Sequence, residues 1–157
     1  MTIVCLVRGE MEEPEIIFDP LPPNPLSRHI IDQLVAHNLA ATGTANYYPV
    51  GFFLKNARGE WLGGLMGELW GGWLYVRILW VDPAARSQGN GTRLLRAAEE
   101  YAVERGCFAA TLETASFQAR PFYEKCGYEV FAALEDYPPG HTKYYLRKQL
   151  AARPTSR

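Results

Sequence analysis

Residues 81–92 read Val-Asp-Pro-Ala-Ala-Arg-Ser-Gln-Gly-Asn-Gly-Thr. An apolar run ends at Asp82-Pro83, and a run of helix-forming residues begins after Gly91. A loop placed before a helix presents consecutive backbone N–H groups at the positive end of the helix dipole, where a pyrophosphate can bind. The stretch therefore predicts a strand, an anion-binding loop and a helix in direct succession.

The residues before this loop predict an antiparallel meander of three strands. Two turn signals, Asn56–Gly59 and Gly71-Gly72, separate three runs of apolar residues. The third run, Trp73–Val81, is nearly all apolar or aromatic, so we expect it to be central and covered on both faces. The three expected strands lie within residues 50–54, 61–70 and 73–81.

The residues after the loop predict a helix, a buried strand and a closing hairpin. Apolar positions between Leu94 and Ala102 recur at helical spacing, and Gly106 supplies a stop signal. If the strands before and after this helix share a sheet, the right-handed crossover makes them parallel. The fold class is therefore mixed α/β. The later elements are expected at residues 108–114 (strand), 118–125 (helix), 128–133 (strand) and 143–148 (strand).

The 157 residues form one domain by size, with residues 1–13 as an N-terminal extension or edge strand and 151–157 as a tail. Within the domain, residues 14–150, we also expect a strand over Glu15–Phe18 and a helix capped by Ser27.

The composition is that of an ordinary globular domain. Hydrophobic residues make up 48%, charged residues 21%, and the net charge is −1. Since no basic footprint is present, we expect no nucleic-acid partner. No apolar run approaches membrane-spanning length, so we expect no membrane partner either. Cys5, Cys107 and Cys126 lack metal-ligand spacing and are interpreted as reduced thiols of a cytoplasmic protein.

Several kinds of phosphate-binding loop contain glycines before a helix, and the neighbouring residues distinguish between them. Gly91-Thr92-Arg93 lacks the Gly-Lys-Ser/Thr ending of a P-loop, and the third glycine of a dinucleotide fingerprint is absent. Instead, residues 79–92, with Arg86-x-x-Gly89-x-Gly91, resemble the acetyl-CoA loop of the GNAT family of N-acetyltransferases. Residues 118–128, Gln-Ala-Arg-Pro-Phe-Tyr-Glu-Lys-Cys-Gly-Tyr, resemble that family's second signature.

The resemblance implies a donor site for acetyl-CoA. It implies a central, mixed and mostly antiparallel sheet with a splayed parallel pair and helices on both faces, and it makes residues 14–150 an N-acetyltransferase domain. Pantetheine would lie in the splay, beside backbone groups near residues 79–81. Tyr123 would protonate the leaving thiolate, and Ser116 stands where the family commonly has an Asn that contacts the cofactor. The expected cofactor-binding residues are Leu79, Trp80, Val81, Arg86, Ser87, Gln88, Gly89, Asn90, Gly91, Thr92, Ser116 and Tyr123.

The loop glycines and nearby arginines have a physical role in this picture. Glycine at 89 and 91 permits close approach where a Cβ would collide, and Arg86 or Arg93 could add a charge-assisted contact.

The acceptor side carries weaker signals. A carboxylate usually helps an amine lose its proton, and Glu113 is the first candidate because it ends the strand that lines the splay. Glu68 and His141 are further candidates. Aromatic residues at strand or loop ends could contact the acceptor. The expected substrate-binding residues are Tyr48, Trp70 and Tyr137.

We therefore expect transfer of an acetyl group to a primary amine of a small molecule, by direct attack in a ternary complex and without a metal. No cysteine has a supporting His and acid motif, so a covalent acyl-enzyme is disfavoured. A peptide or protein acceptor, and an acyl-CoA sensor without catalysis, are the alternatives. The sequence leaves assembly as a homodimer open.

Overall fold

The computed structural model describes residues 16–18, 25–43 and 47–153. The expected extension over residues 1–13, Cys5 and the last four residues lie outside them. The elements in chain order are α1 (Pro25–Thr42), β1 (Tyr48–Lys55), β2 (Trp61–Trp70), β3 (Trp73–Val81), a 3₁₀ turn (Pro83–Ala85), α2 (Asn90–Glu104), β4 (Ala109–Ala115), α3 (Arg120–Lys125), β5 (Glu129–Leu134) and β6 (Lys143–Gln149).

The six strands form one mixed sheet in the order β1-β2-β3-β4-β6-β5. Strands β1, β2 and β3 form the expected antiparallel meander, and β4–β6 and β6–β5 are also antiparallel. Strands β3 and β4, joined by α2, are parallel. The mixed α/β class, the meander and the parallel crossover are thus confirmed.

The parallel pair separates part-way along its length. Pairing between β3 and β4 runs from Trp73↔Ala109 to Val76↔Leu112. Beyond that point β3 continues to pair with β2 as far as Val81, while β4 continues to pair with β6 as far as Ala115. Because each strand keeps its outer neighbour while losing the inner one, a gap opens between their carboxyl ends.

A β-bulge lies in β3 where the gap begins. Val76 pairs with Gly67 and Ile78 pairs with Met66, so Arg77 is an extra residue on β3. At position 67 an added Cβ would come 2.3 Å from the carbonyl oxygen of Tyr75, which explains the glycine. The bulge bends β3 away from β4 and re-aims the side chains that follow it.

The hydrophobic core lies between α2 and one face of the sheet. Helix α2 packs against β1, β2 and β3, and its buried apolar residues are four of the expected ones: Leu94, Leu95, Ala98 and Ala102. Gly106, at φ +84°, follows the end of this helix as expected. The fully buried large side chains are Leu65, Leu74, Leu95, Leu112 and Leu146.

Two expectations about burial and strand formation are wrong. Strand β3 is central, but it is not covered on both faces: Ile78 and Trp80 are 51% and 50% exposed. An apolar run predicts a strand. Whether one or both faces of that strand are buried depends on which helices or strands pack against the sheet. Of the strand expected over Glu15–Phe18, residues 16–18 are described and form no strand, and Glu15 lies outside the described residues.

The expected first helix is present as α1, although it begins at Pro25, two residues before Ser27. It contains no buried residue, and apolar side chains such as Ile30 and Leu34 are exposed.

Candidate active site

The loop between β3 and α2 has the geometry expected of an anion-binding loop. Asp82 Oδ1 accepts the backbone N–H of Ala84 at 2.8 Å and closes the 3₁₀ turn. Gly89, in the left-handed region at φ +76°, is the N-cap of α2, and no side chain caps the helix there. Since the first backbone N–H groups of a helix have no partner within it, they remain available to an anion.

Side chains within the loop fix its backbone. Arg86 Nε donates to the Val81 carbonyl at 2.9 Å, and Gln88 Nε2 donates to the Ala84 carbonyl at 3.1 Å. The buried Asn90 donates to the Ala85 carbonyl at 2.8 Å and accepts from Arg93 Nη1 at 3.1 Å. These side chains are turned towards the loop itself, so the backbone is left as its main anion-binding surface.

The two loop glycines serve different purposes. At Gly89 an added Cβ would meet nothing within 4 Å, so the positive φ alone favours glycine there. At Gly91 a Cβ would lie 3.2 Å from Phe122 Cζ, within the contact between α2 and α3. The expectation that glycine at both positions permits close approach of a pyrophosphate concerns the ligand and stays a prediction.

A cavity of about 830 Å³ connects this loop with the gap between β3 and β4. Of the expected site residues it is lined by 79–81, 86–87, 89–92, Glu113 and Tyr123. It joins the N-terminus of α2 to the slot between two strand edges. Gln88, Ser116, Tyr48, Trp70 and Tyr137 do not line it.

Tyr123 lies on α3 at the wall of this cavity and is 7% exposed. Its ring packs edge-on against Phe122 and Tyr128, with centroid distances of 5.1 and 6.1 Å. Burial, followed by the nearby Cys126 thiol, raises the pKa of the Tyr123 phenol to about 12. The phenol therefore stays protonated at neutral pH and is suited to donate a proton.

Glu113 is the first residue of β4 beyond the last pair with β3, and its side chain lines the cavity. Its Oε1 lies 2.8 Å from Lys143 Nζ. This contact raises the pKa of the Lys143 ammonium, the hydrogen bond to Glu113 being the largest cause. The sequence placed Glu113 at the splay but gave no sign of this ion pair.

The other two base candidates lie outside the cavity lining. Glu68 Oε2 accepts the Tyr47 hydroxyl at 3.1 Å and lies 3.5 Å from Arg77 Nη1. His141 Nδ1 lies 3.3 Å from Ser116 Oγ, which also accepts the backbone N–H of Thr142 at 3.2 Å. Through these two contacts Ser116 connects the end of β4 with the loop before β6.

The expected substrate-binding aromatics are dispersed. Tyr48 and Trp70 lie at the end of the sheet opposite to the loop, where they pair with Leu69 and Trp73. Tyr137 is exposed, and Lys143 Nζ lies 4.8 Å from the centre of its ring.

Sequence reasoning missed Arg77, Phe117 and Phe122, which also line the cavity. The sequence contains one indication that Arg77 has a special position, because it is the single charged residue in the run Trp73–Val81.

The described residues contain neither a membrane-spanning helix nor a cluster of metal ligands. None of the helices there is both long and apolar enough to cross a membrane. Within the same residues, no three His, Cys, Asp or Glu side chains are placed to hold a metal ion together.

Comparison with known proteins identifies the family. Residues 16–128 match the family described as "Acetyltransferase (GNAT) family". The chain is 48% identical over 94 residues to blasticidin-S acetyltransferase from Streptomyces morookaense, covering 59% of this chain and 69% of that protein. It is 37% identical over 120 residues to an acetyltransferase from Agrobacterium fabrum, covering 76% of this chain and 88% of that one.

Solved structures agree with the sequence match. The crystal structure of an acetyltransferase from Bacillus cereus superposes with a TM-score of 0.74 at 29% identity, over 84% of this chain and 97% of that one. The splayed parallel pair, the uncapped loop and the family match lead to one conclusion: the chain belongs to the GNAT family and is an acetyltransferase that uses acetyl-CoA as its donor.

Proposed function

We propose that this chain transfers the acetyl group of acetyl-CoA to a primary amine of a small molecule, by direct attack in a ternary complex. The observation that carries the proposal is the cavity that joins the N-terminus of α2 to Tyr123 through the gap between β3 and β4. We assign the activity to the domain spanning residues 14–150.

The residues present fit the donor. The uncapped backbone of residues 88–92 would bind its pyrophosphate, with the dipole of α2 adding to the attraction. Beyond Val76, the edge of β3 that faces β4 has no strand partner among the residues that the structure describes, and residues 79–81 there line the cavity. Pantetheine would pair with this edge as an added strand does. Acetyl-CoA supplies a thioester whose carbonyl carbon the amine attacks.

Tyr123 would supply the proton that the leaving group needs. Its phenol lies in the cavity wall and its raised pKa keeps it protonated, so it can donate to the sulfur as the carbon–sulfur bond breaks. The attacking amine also releases a proton. That proton passes to solvent or to the Tyr123 phenolate, so the number of protons is conserved over the reaction.

Glu113 is our candidate to accept that amine proton. It is the carboxylate that lines the cavity, and it stands across the gap from β3. The contact from Lys143 is to Oε1, so Oε2 is the oxygen that we assign to the amine.

A small-molecule acceptor is supported by the relatives. One of them, 48% identical over 94 residues, is named for acetylation of blasticidin S. We extend this chemical class, a small amine-bearing molecule, to the present chain.

The test is a thiol-release assay with acetyl-CoA over blasticidin S, streptothricin, aminoglycosides, polyamines, amino acids and short peptides, with acetyl-CoA binding measured separately by calorimetry. We expect at least one small amine to raise thiol release well above background hydrolysis. Release with peptides alone would replace the small-molecule acceptor by a peptide. Binding without release for any acceptor would favour a sensor.

A further inference from the structure

Four charged side chains cross the sheet on the face opposite to the core, one on each of four neighbouring strands. Leu69, Leu112 and Leu146 belong to the core cluster. Since side chains alternate along a strand, Glu68 and Glu113 beside them face the other way. Lys143 and Arg77 contact these two carboxylates. The four are Glu68 on β2, Arg77 on β3, Glu113 on β4 and Lys143 on β6.

The signs of these charges alternate across the strands, negative, positive, negative, positive. Arg77 Nη1 lies 3.5 Å from Glu68 Oε2, and Lys143 Nζ lies 2.8 Å from Glu113 Oε1. Tyr75 pairs with Glu68 on β2 and with Thr111 on β4. Since its neighbours Leu74 and Val76 belong to the core, its side chain faces the same side of the sheet as the charged row. Burial raises the pKa of its phenol most, Glu113 and Glu68 raise it further, and Lys143 and Arg77 lower it.

This row crosses the cavity at the point where β3 and β4 separate. Arg77 and Glu113 are the first residues of their strands beyond the last parallel pair, Val76↔Leu112, and both line the cavity. These two side chains therefore stand beside the gap in which the proposed thioester would lie.

The Arg77 guanidinium is loosely held. Its 3.5 Å contact with Glu68 is longer than an N–H···O hydrogen bond, which spans about 2.7–3.2 Å, and its side chain is 61% exposed. A guanidinium carries five N–H donors in a planar fork that matches a carboxylate. Arg77 also makes a side-chain hydrogen bond with Tyr47. A ligand carboxylate can therefore bind the N–H donors that this contact and the long contact with Glu68 leave over.

We propose, resting on the acetyltransferase function above, that the acceptor is a zwitterion: an amine that also carries a carboxylate, which Arg77 binds while Glu113 faces the amine. The bulge makes Arg77 an extra residue on β3 where the gap begins, and Arg77 lines the cavity with its guanidinium near Glu68 on β2. A neutral acceptor would leave Arg77 without a ligand, and a polycationic acceptor would in addition bring positive charge towards it.

The simpler reading is that the four charges only form ion pairs on a solvated sheet face. Another pair on this sheet serves as a matched control. Arg147 Nε lies 2.9 Å from Glu129 Oε1 between β6 and β5, and neither residue lines the cavity.

The test compares acceptors that differ by a single carboxylate, lysine with cadaverine and arginine with agmatine, together with any acceptor from the panel above and its carboxamide. We expect the carboxylate form to have the higher kcat/KM by about tenfold or more, the size of one charge-assisted hydrogen bond. Arg77→Gln should reduce this ratio to about one by raising KM for the carboxylate form only. Arg77→Lys should restore part of it, and Arg147→Gln should leave it unchanged.

The possible outcomes distinguish a failure of the zwitterion inference from a failure of the proposed acetyltransferase function. Acetylation with no preference for the carboxylate, or a preference that Arg77→Gln retains, overturns the zwitterion inference and leaves the acetyltransferase standing. Absence of acetyl-CoA binding and of all turnover overturns both. Equal acetyl-CoA dissociation constants and melting temperatures for Arg77→Gln and Arg147→Gln confirm that the change lies in acceptor recognition.

Discussion

The two halves of the proposed site are built in different ways. The donor half comes from one continuous stretch, residues 79–92, closed by α3, and it offers mainly backbone groups held by side chains of the loop itself, Arg86, Gln88 and the buried Asn90. The acceptor half is a row of side chains on four strands, β2, β3, β4 and β6, joined by two ion pairs. In this proposed arrangement the main chain recognises acetyl-CoA. Selectivity for the acceptor depends on side chains that come from distant segments of the chain.

The largest effect is expected where the halves meet, at Tyr123. Tyr123→Phe removes the proton donor, so kcat should fall by about 100-fold or more while acetyl-CoA binding changes little. Steady-state kinetics and calorimetry measure the two quantities. Tyr128→Phe is the matched control, because its hydroxyl donates to Glu99 at 2.9 Å instead; it should lower stability by about 1 kcal/mol and keep its kcat. An unchanged kcat in Tyr123→Phe would remove this residue from the mechanism.

The acceptor half should respond next, at Glu113. Glu113→Gln removes the carboxylate in the cavity wall, so kcat/KM should fall by roughly 10- to 100-fold at neutral pH. Raising the pH should restore part of the loss, because more of the amine is then unprotonated. Glu129→Gln, which breaks the Arg147 pair away from the cavity, should leave the pH–rate profile as it is. Identical profiles for all three proteins would exclude Glu113 as the base.

A smaller effect on binding is expected in the donor half, at Gly89. Alanine at φ +76° is strained by about 1–2 kcal/mol, and its Cβ would stand at the anion-binding end of α2. We expect the acetyl-CoA dissociation constant to rise about tenfold. Gly59→Ala provides the control, since Gly59 has φ +83° and equally open surroundings in the hairpin between β1 and β2. Both variants should melt earlier, and only Gly89→Ala should bind acetyl-CoA more weakly.

The smallest expected effect concerns stability at high pH. The pKa of Tyr123 is raised from 10.0 to about 12 in the folded protein, so the unfolded chain releases this proton first as the pH rises. The free energy of unfolding should therefore fall above about pH 10, by up to about 1.4 kcal/mol per pH unit from this residue. Denaturant titrations from pH 9 to 12 should show a shallower decline for Tyr123→Phe. A parallel decline would show that burial does not shift this phenol.

Much of the donor half could be predicted because its determinants are local. The end of an apolar run at Asp82, the glycines at 89 and 91, and the amphipathic spacing from Leu94 to Ala102 all lie within about two dozen residues. Periodicity and turn chemistry carry that information directly. The expected antiparallel beginning and parallel crossover followed from the same local signals, together with the handedness of crossovers.

The acceptor half could not be predicted in the same way, because its contacts span the chain. Lys143 meets Glu113 across thirty positions of sequence, and Ser116 meets His141 across 25. Strand order and register decide such pairs, and neither follows from the composition of one strand. The bulge at Arg77 is also a property of strand pairing. It can be recognised only because Val76 pairs with Gly67 while Ile78 pairs with Met66, which leaves Arg77 as an extra residue.

The sequence alone indicated the family, the glycine loop before α2 and Tyr123 as the proposed proton donor, because the motifs that carry them consist of neighbouring residues. Only the tertiary structure decided that β3 is open on one face, that Glu113 is paired with Lys143, and that Arg77 stands at the mouth of the gap. The physical reason is the range of the forces involved. Helix dipoles and turn conformations act within a few residues, whereas burial and ion pairing depend on which strands the folded sheet places side by side.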